Sequence, residues 1–271
     1  MIALLIIIAV AAVGGLGIYL LASRGGEPPN NAATQSSATL NNPQPSVPLA
    51  PAGMVYVPGG EFTMGRDDGD EYERPAHKVT VKPFYIDQFE VTCGDLINFI
   101  NQSGQSAGGM GSYGCFENPD HKVAATEVNW DAAVRYCKWV SKRLPTEEEW
   151  EFAARGTDGR IYPWGNSWQQ YSANAAGASS KASDGGLYKN GVSPFGAYDM
   201  SGNAWEWTAS NLTTYPGGQL PIKPAADMRV IRGGAYDSDQ NTATTTYRRG
   251  YPASGNYDYS KTGFRCAKDV R

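Results

Sequence analysis

The chain has 271 residues, with 23 basic and 27 acidic side chains (net charge −4), 41% hydrophobic and 18% charged residues. No basic excess points to nucleic acid as a partner. Only two histidines, His77 and His121, are present, which argues against a histidine-rich metal centre and leaves few bases for a Ser-His-Asp triad. The 32 glycines, 16 tyrosines and 7 tryptophans predict a loop-rich fold in which flat side chains fill gaps between irregular segments.

Residues Ile2 to Ala22 carry no charge and are almost wholly apolar. At ~1.5 Å per residue the run reaches about 31 Å, enough to span a bilayer. No Lys or Arg precedes it and no cysteine follows it for lipid attachment, so residues 1–24 read as a retained transmembrane anchor rather than a cleaved signal peptide. Arg24 is a poor guide to its orientation. Residues 25–53, with six prolines and almost no large apolar side chain, read as a Pro/Asn/Ser-rich tether.

A folded domain is expected over 54–271. Met54 to Val57 and Glu61 to Met64 read as strands around a Pro58-Gly59-Gly60 turn, and Lys78 to Lys82 alternates with period two. The acidic stretch Asp67 to Glu73 reads as a solvated loop. Thr92 with Asp95, before Leu96, Phe99 and Ile100, predicts a helix that Gly104 can end. Ala133, Tyr136, Cys137 and Val140 recur at helical spacing. Thr146 with Glu149 forms a capping box, with Glu147 and Glu148 in the first turn and Gly156 just past the end. Beyond Gly156 only short strands are expected, such as Arg229 to Arg232 and Gly263 to Ala267. There is no internal repeat.

Several motifs in order are specific. Met54-Val55-Tyr56-Val57-Pro58-Gly59-Gly60-Glu61-Phe62-Thr63-Met64-Gly65 comes first, then Val128-Asn129-Trp130-Asp131-Ala132-Ala133, then Lys142-Arg143-Leu144-Pro145-Thr146-Glu147-Glu148-Glu149-Trp150-Glu151. Tyr162-Pro163-Trp164-Gly165-Asn166, Tyr198-Asp199-Met200-Ser201-Gly202-Asn203-Ala204-Trp205-Glu206-Trp207, Arg232-Gly233-Gly234-Ala235 and Gly263-Phe264-Arg265-Cys266 follow. Together they resemble the formylglycine-generating enzyme, or sulfatase-modifying-factor, family. The resemblance implies an α+β, irregular, C-type-lectin-like fold with little regular secondary structure, here preceded by one transmembrane helix.

Enzymes of that family oxidise a substrate cysteine to formylglycine, using copper held by two cysteines a few residues past a Gly-Gly-Ser motif. Thiolates suit Cu(I). Here Ala235 stands in place of the serine, and no cysteine occurs between Cys137 and Cys266, so no copper is expected. The resemblance implies a Cys137–Cys266 disulfide, leaving Cys93 and Cys115 as a second pair; four cysteines by themselves allow three connectivities. Two bridges would place the domain in an oxidising, extracytoplasmic compartment, periplasmic or extracellular. The resemblance also implies structural Ca2+ sites built from oxygen ligands: one from Asp199, Gly202, Ala204 and Glu206, a second from Asn174, Ala175, Asp184 and Gly186. Near the former active site, Tyr236, Asp237, Asp239, Asn241, Tyr247, Arg248, Arg249 and Tyr251 have the composition of a binding surface.

These features lead to a non-catalytic, membrane-anchored module that binds protein, or serves as an accessory subunit of a membrane complex, an electron-transfer assembly being one candidate. Two alternatives stay open at this level: an oxidoreductase of the same superfamily using residues other than cysteine, and a ligand-recognition protein with a diversified C-terminal surface.

Overall fold

The computed structural model describes residues 48–104, 115, 122–255 and 257–270. The chain divides into two units, Met1–Ser46 and Val47–Arg271. The expected anchor and the tether up to residue 47 lie outside the described residues, as does His121. No helix among the described residues is long and apolar enough to cross a membrane.

The second unit is an α+β arrangement of short pieces. In chain order it runs β1 (Met54–Val57), β2 (Gly60–Met64), β3 (His77–Val81), β4 (Phe84–Asp87), α1 (Cys93–Ser103), α2 (Trp130–Trp139) and α3 (Glu147–Arg155). A 3-10 turn (Lys189–Gly191) precedes β5 (Trp205–Asn211), β6 (Met228–Arg232), β7 (Arg248–Pro252), β8 (Thr262–Gly263) and β9 (Ala267–Asp269). Strands order as β1-β4-β9, β2-β3 and β7-β6-β5-β8, antiparallel except for β5 beside β8.

The helices begin where their caps dictate. Thr92 and Asp95 form a reciprocal capping box at α1, and Gly104 closes it in the left-handed region at φ 64°. Asn129 caps α2 by accepting from Ala132 N. Thr146 and Glu149 cap α3, and Gly156 follows at φ 68°. Each helix turns its apolar face inward: Leu96 and Phe99 from α1 and Tyr136 from α2 join Trp207 and Phe264 in one core. Trp150 and Phe152 of α3 join Phe62, Phe84 and Ile86 in the other.

Two expectations need correction, and one strand, β4, escapes the sequence reading. β4 lies between β1 and β9 and is buried along its whole length; a strand covered on both faces reads as a continuous apolar run, not as an alternation. The expected strand Gly263 to Ala267 splits into β8 and β9, because Phe264 and Cys266 offer their carbonyls to Val91 N and Asp87 N instead of a ladder. The acidic stretch Asp67 to Glu73 is solvated only in part: Glu73 is buried and accepts from Thr246 Oγ1 at 2.5 Å and from Asp70 N at 2.7 Å.

Two disulfides join Cys93 to Cys115 and Cys137 to Cys266, the pairing expected, and no described cysteine is free. The longer bridge ties α2 to the segment between β8 and β9.

Candidate functional site

The loop after β6 begins with Gly233 and Gly234, both at positive φ (92° and 78°). A Cβ on Gly233 would sit 3.2 Å from the Trp150 ring, a tight contact, and the positive φ there favours glycine. The following turn is tightly built. Ser238 Oγ accepts from Ala235 N at 2.9 Å, and Asp239 Oδ1 accepts from the backbone of both Asn241 and Thr242. Its side chains offer no thiol. The chemistry of this loop is that of hydroxyls, one carboxylate turn and aromatic rings.

The eight side chains expected at a binding surface divide in two. Asp237, Asp239, Asn241 and Arg249 are exposed, with Tyr236 and Tyr251 half-buried. Asp237 pairs with Lys261 at 2.5 Å, and Arg249 Nε donates to Tyr247 Oη. Tyr247 and Arg248 are not surface residues. Arg248 is 1% exposed and its guanidinium grips Glu147 of α3 through Nε and Nη2, at 2.5 and 2.8 Å. Tyr247 is buried against Trp205. Beneath the loop, Glu147 and Glu151 of α3 receive Arg232, Arg248 and Arg155. Glu147 sits in the first turn of α3, as expected, and there also joins this buried network.

Beside it, a second buried cluster surrounds Arg265. Its guanidinium donates to both oxygens of Glu206 (2.7 and 2.6 Å), and Trp150 Nε1 donates to Glu206 Oε2 at 2.8 Å. Glu90 accepts from Ala204 N and from Asn203 Nδ2. Asp199, at φ 57°, accepts from Gly186 N at 2.6 Å. Three carboxylates thus face one arginine. Burial, reinforced by the neighbouring acids, holds Glu90 well above the usual carboxylate range. Burial likewise pushes Asp199 up to about 6. Sequence reasoning missed Glu90, although a glutamate between Phe89 and Val91 was a visible signal.

The two expected calcium sets differ in their fit. Around Asn174, which is wholly buried, Nδ2 donates to Lys181 O and Asn203 Oδ1, while Oδ1 has no hydrogen-bond partner. A buried amide oxygen without a donor is the hard ligand a calcium ion takes. Asp184 is half-buried on the same stretch, so this set fits the ion. In the other set, Glu206 already receives three donors, and Asp199 has one oxygen on Gly186 N. No group of three or more His, Cys, Asp or Glu among the described residues could hold a metal, so any ion here would rest mainly on amide and carbonyl oxygens.

A family model for the sulfatase-modifying factor enzyme 1-like domain matches residues 38–270. The chain belongs to that family. It is 35% identical to the mouse protein named inactive C-alpha-formylglycine-generating enzyme 2, over 80% of this chain and 86% of that one. It is 31% identical to bovine formylglycine-generating enzyme, over 82% and 76%. Among solved structures, PvdO from Pseudomonas aeruginosa superposes with a TM-score of 0.66 at 26% identity, over 80% of this chain and 94% of that one. Family membership accounts for the motif order, and the fold shared with PvdO agrees with the C-type-lectin-like architecture expected from the sequence.

Proposed function

We propose that this sulfatase-modifying-factor domain is non-catalytic and acts as a membrane-anchored, extracytoplasmic protein-binding module or accessory subunit of a membrane complex. One observation carries the reading. All four cysteines are held in disulfides, and the loop after Gly233-Gly234 has none, so the family's copper-thiolate oxidation has no ligands here. The scaffold around that loop is held by buried ion-pair networks and a glycine turn. A well-ordered architecture without the family's thiol chemistry suits a role in recognition. The relative named as inactive supports the same reading. Calcium at the Asn174 loop would be structural, fixing the segment from Asn174 to Gly186 against Asn203. Two disulfides favour an oxidising compartment, and the apolar run Ile2 to Ala22 supplies the anchor.

The test has two arms. The purified full chain, supplied with copper and oxygen, is incubated with a cysteine-containing sulfatase peptide; formation of any formylglycine would overturn the non-catalytic reading. The native chain is then extracted in mild detergent and separated on native gels with mass spectrometry. A fixed set of membrane proteins comigrating with it is expected, and migration alone would overturn the subunit role.

A further inference from the structure

The loop after Gly233-Gly234 is laced to the stretch that begins at Asn174. Ala176 N donates to Ser238 O at 2.8 Å, and Tyr236 N donates to Asn203 O at 3.0 Å. Asn203 in turn holds Asn174: its N–H donates to Asn174 O at 2.9 Å, and its Oδ1 accepts from Asn174 Nδ2 and Ser183 N. Side chains repeat the connection. Ala173, Ala175 and Ala243 form one small buried cluster, with Trp164 and Trp168 packed against it. The loop therefore leans on two supports, Asn203 and the backbone from Asn174 to Ala176. The second support is thinly built. Between Asn174 and Asp184 the chain forms no helix or strand, and Gly177, Ser180 and Lys181 are exposed. A segment with few buried apolar contacts opens at low cost. What it offers instead is the buried Oδ1 of Asn174, which has no hydrogen-bond partner. The expected ligand set there brings one carboxylate, Asp184, beside neutral oxygens. So low a ligand charge puts calcium affinity at the weak end for this ion, about 10⁻⁴ to 10⁻³ M, the range of extracellular modules.

We propose that calcium at the Asn174 loop governs the order of the loop from Ala235 to Ala243, so that its exposed side chains, Asp237, Asp239 and Asn241, are presented for recognition only where calcium is near millimolar. The proposal deepens the calcium reading above and rests on it. Linkage gives the size of the effect. An opening that releases the ion is suppressed by 1 + [Ca2+]/Kd, about elevenfold when calcium is ten times Kd. If the loop opens together with its support, its amides gain that factor; if it opens alone, they gain nothing. The bond from Ala176 N to Ser238 O and the shared alanine cluster make the joint opening the one this geometry favours.

The test uses the full chain in mild detergent, in calcium chloride or in chelator. Calorimetric titration gives Kd, expected at about 10⁻⁴ to 10⁻³ M. Hydrogen exchange with mass spectrometry then follows two segments, 174–186 and 235–243. In chelator both are expected to exchange faster than the paired strands β2 and β3. At ten times Kd both should slow together, by about elevenfold, while the exposed turn at 216–219 stays unchanged. Asp184→Ala should remove the slowing from both segments, and the wild-type comparison stands by itself if that variant folds poorly. Slowing of 174–186 with 235–243 unchanged would refute the coupling and leave the calcium reading standing. Loop amides as slow in chelator as those of β2 and β3 would also refute it, since the loop would then need no ion. A Kd below about 1 μM would overturn the dependence on ambient calcium, because the ion would stay bound throughout. No heat and no protection with calcium would remove the calcium reading itself, and the coupling with it.

Discussion

The sharpest test of the energetics is Arg265. Its five N–H groups meet five contacts: two to Glu206, one each to the carbonyls of Tyr198, Asp87 and Gln88. Arg265→Met leaves the Glu206 carboxyl buried without its arginine, beside Glu90 and Asp199. Removing one partner of a buried pair costs about 3–5 kcal/mol, and three carbonyls losing donors add roughly 1 kcal/mol each. The sum approaches the whole stability of an ordinary domain, about 5–15 kcal/mol. The diagnostic variant is therefore the double one. Arg265→Met/Glu206→Gln removes the stranded charge while the amide oxygen still accepts from Trp150 Nε1. Urea unfolding followed by tryptophan fluorescence is expected to place the double variant at least ~2 kcal/mol above Arg265→Met, so the second substitution rescues the first. If adding Glu206→Gln lowers stability further, the claim that the unpaired carboxylate dominates is wrong.

Other expectations follow from the same geometry. The Cys137–Cys266 bridge closes a separation of 129 residues and the Cys93–Cys115 bridge one of 22; chain entropy assigns them about 5 and 3.4 kcal/mol. Replacing both cysteines of a pair by alanine should thus lower the unfolding temperature more for the long bridge, and the reverse order would refute the entropic account. Calcium should raise the melting temperature of the wild-type chain relative to chelator, and Asp184→Ala should abolish that shift; identical melting with calcium and chelator would remove the ion from the Asn174 loop. Tyr215 is held well above its ordinary pKa by burial first, then by Glu147 and Glu151. Its contribution is constant below pH 10 and is lost as pH climbs from there toward the folded-state pKa, because only the unfolded chain ionises. Tyr215→Phe, which loses the bond to Glu147 Oε1, should flatten that alkaline loss in pH-dependent thermal scans.

What the sequence revealed and what it hid divide by distance along the chain. Capping at Thr92 and Thr146 is a local matter of three residues, and both capping boxes form as expected. The disulfide pairing came through the family motifs, since spacing alone left three choices. The burial of Thr244 to Arg248 was invisible locally. These are polar residues in a stretch that reads as loop, yet Arg248 meets Glu147 across 101 positions and Thr246 meets Glu73 across 173. The same holds at the calcium sets: which oxygen stays unpartnered is decided by Asn203, 29 positions from Asn174. Glu206, nominated as an ion ligand, is claimed by an arginine 59 residues away.

The pairing of β4 with β9 also sets an order of events during synthesis. Asp87 receives the backbone N–H of Cys266, 179 positions later. At about 5–20 residues per second, the interval between making one and the other is roughly 10–40 s. Through that time one flank of β4 has no neighbour, and Phe84 and Ile86 wait without half of their cover. Such an edge invites the wrong strand. Cover for that edge therefore waits on the segment around β9, made 179 positions after Asp87.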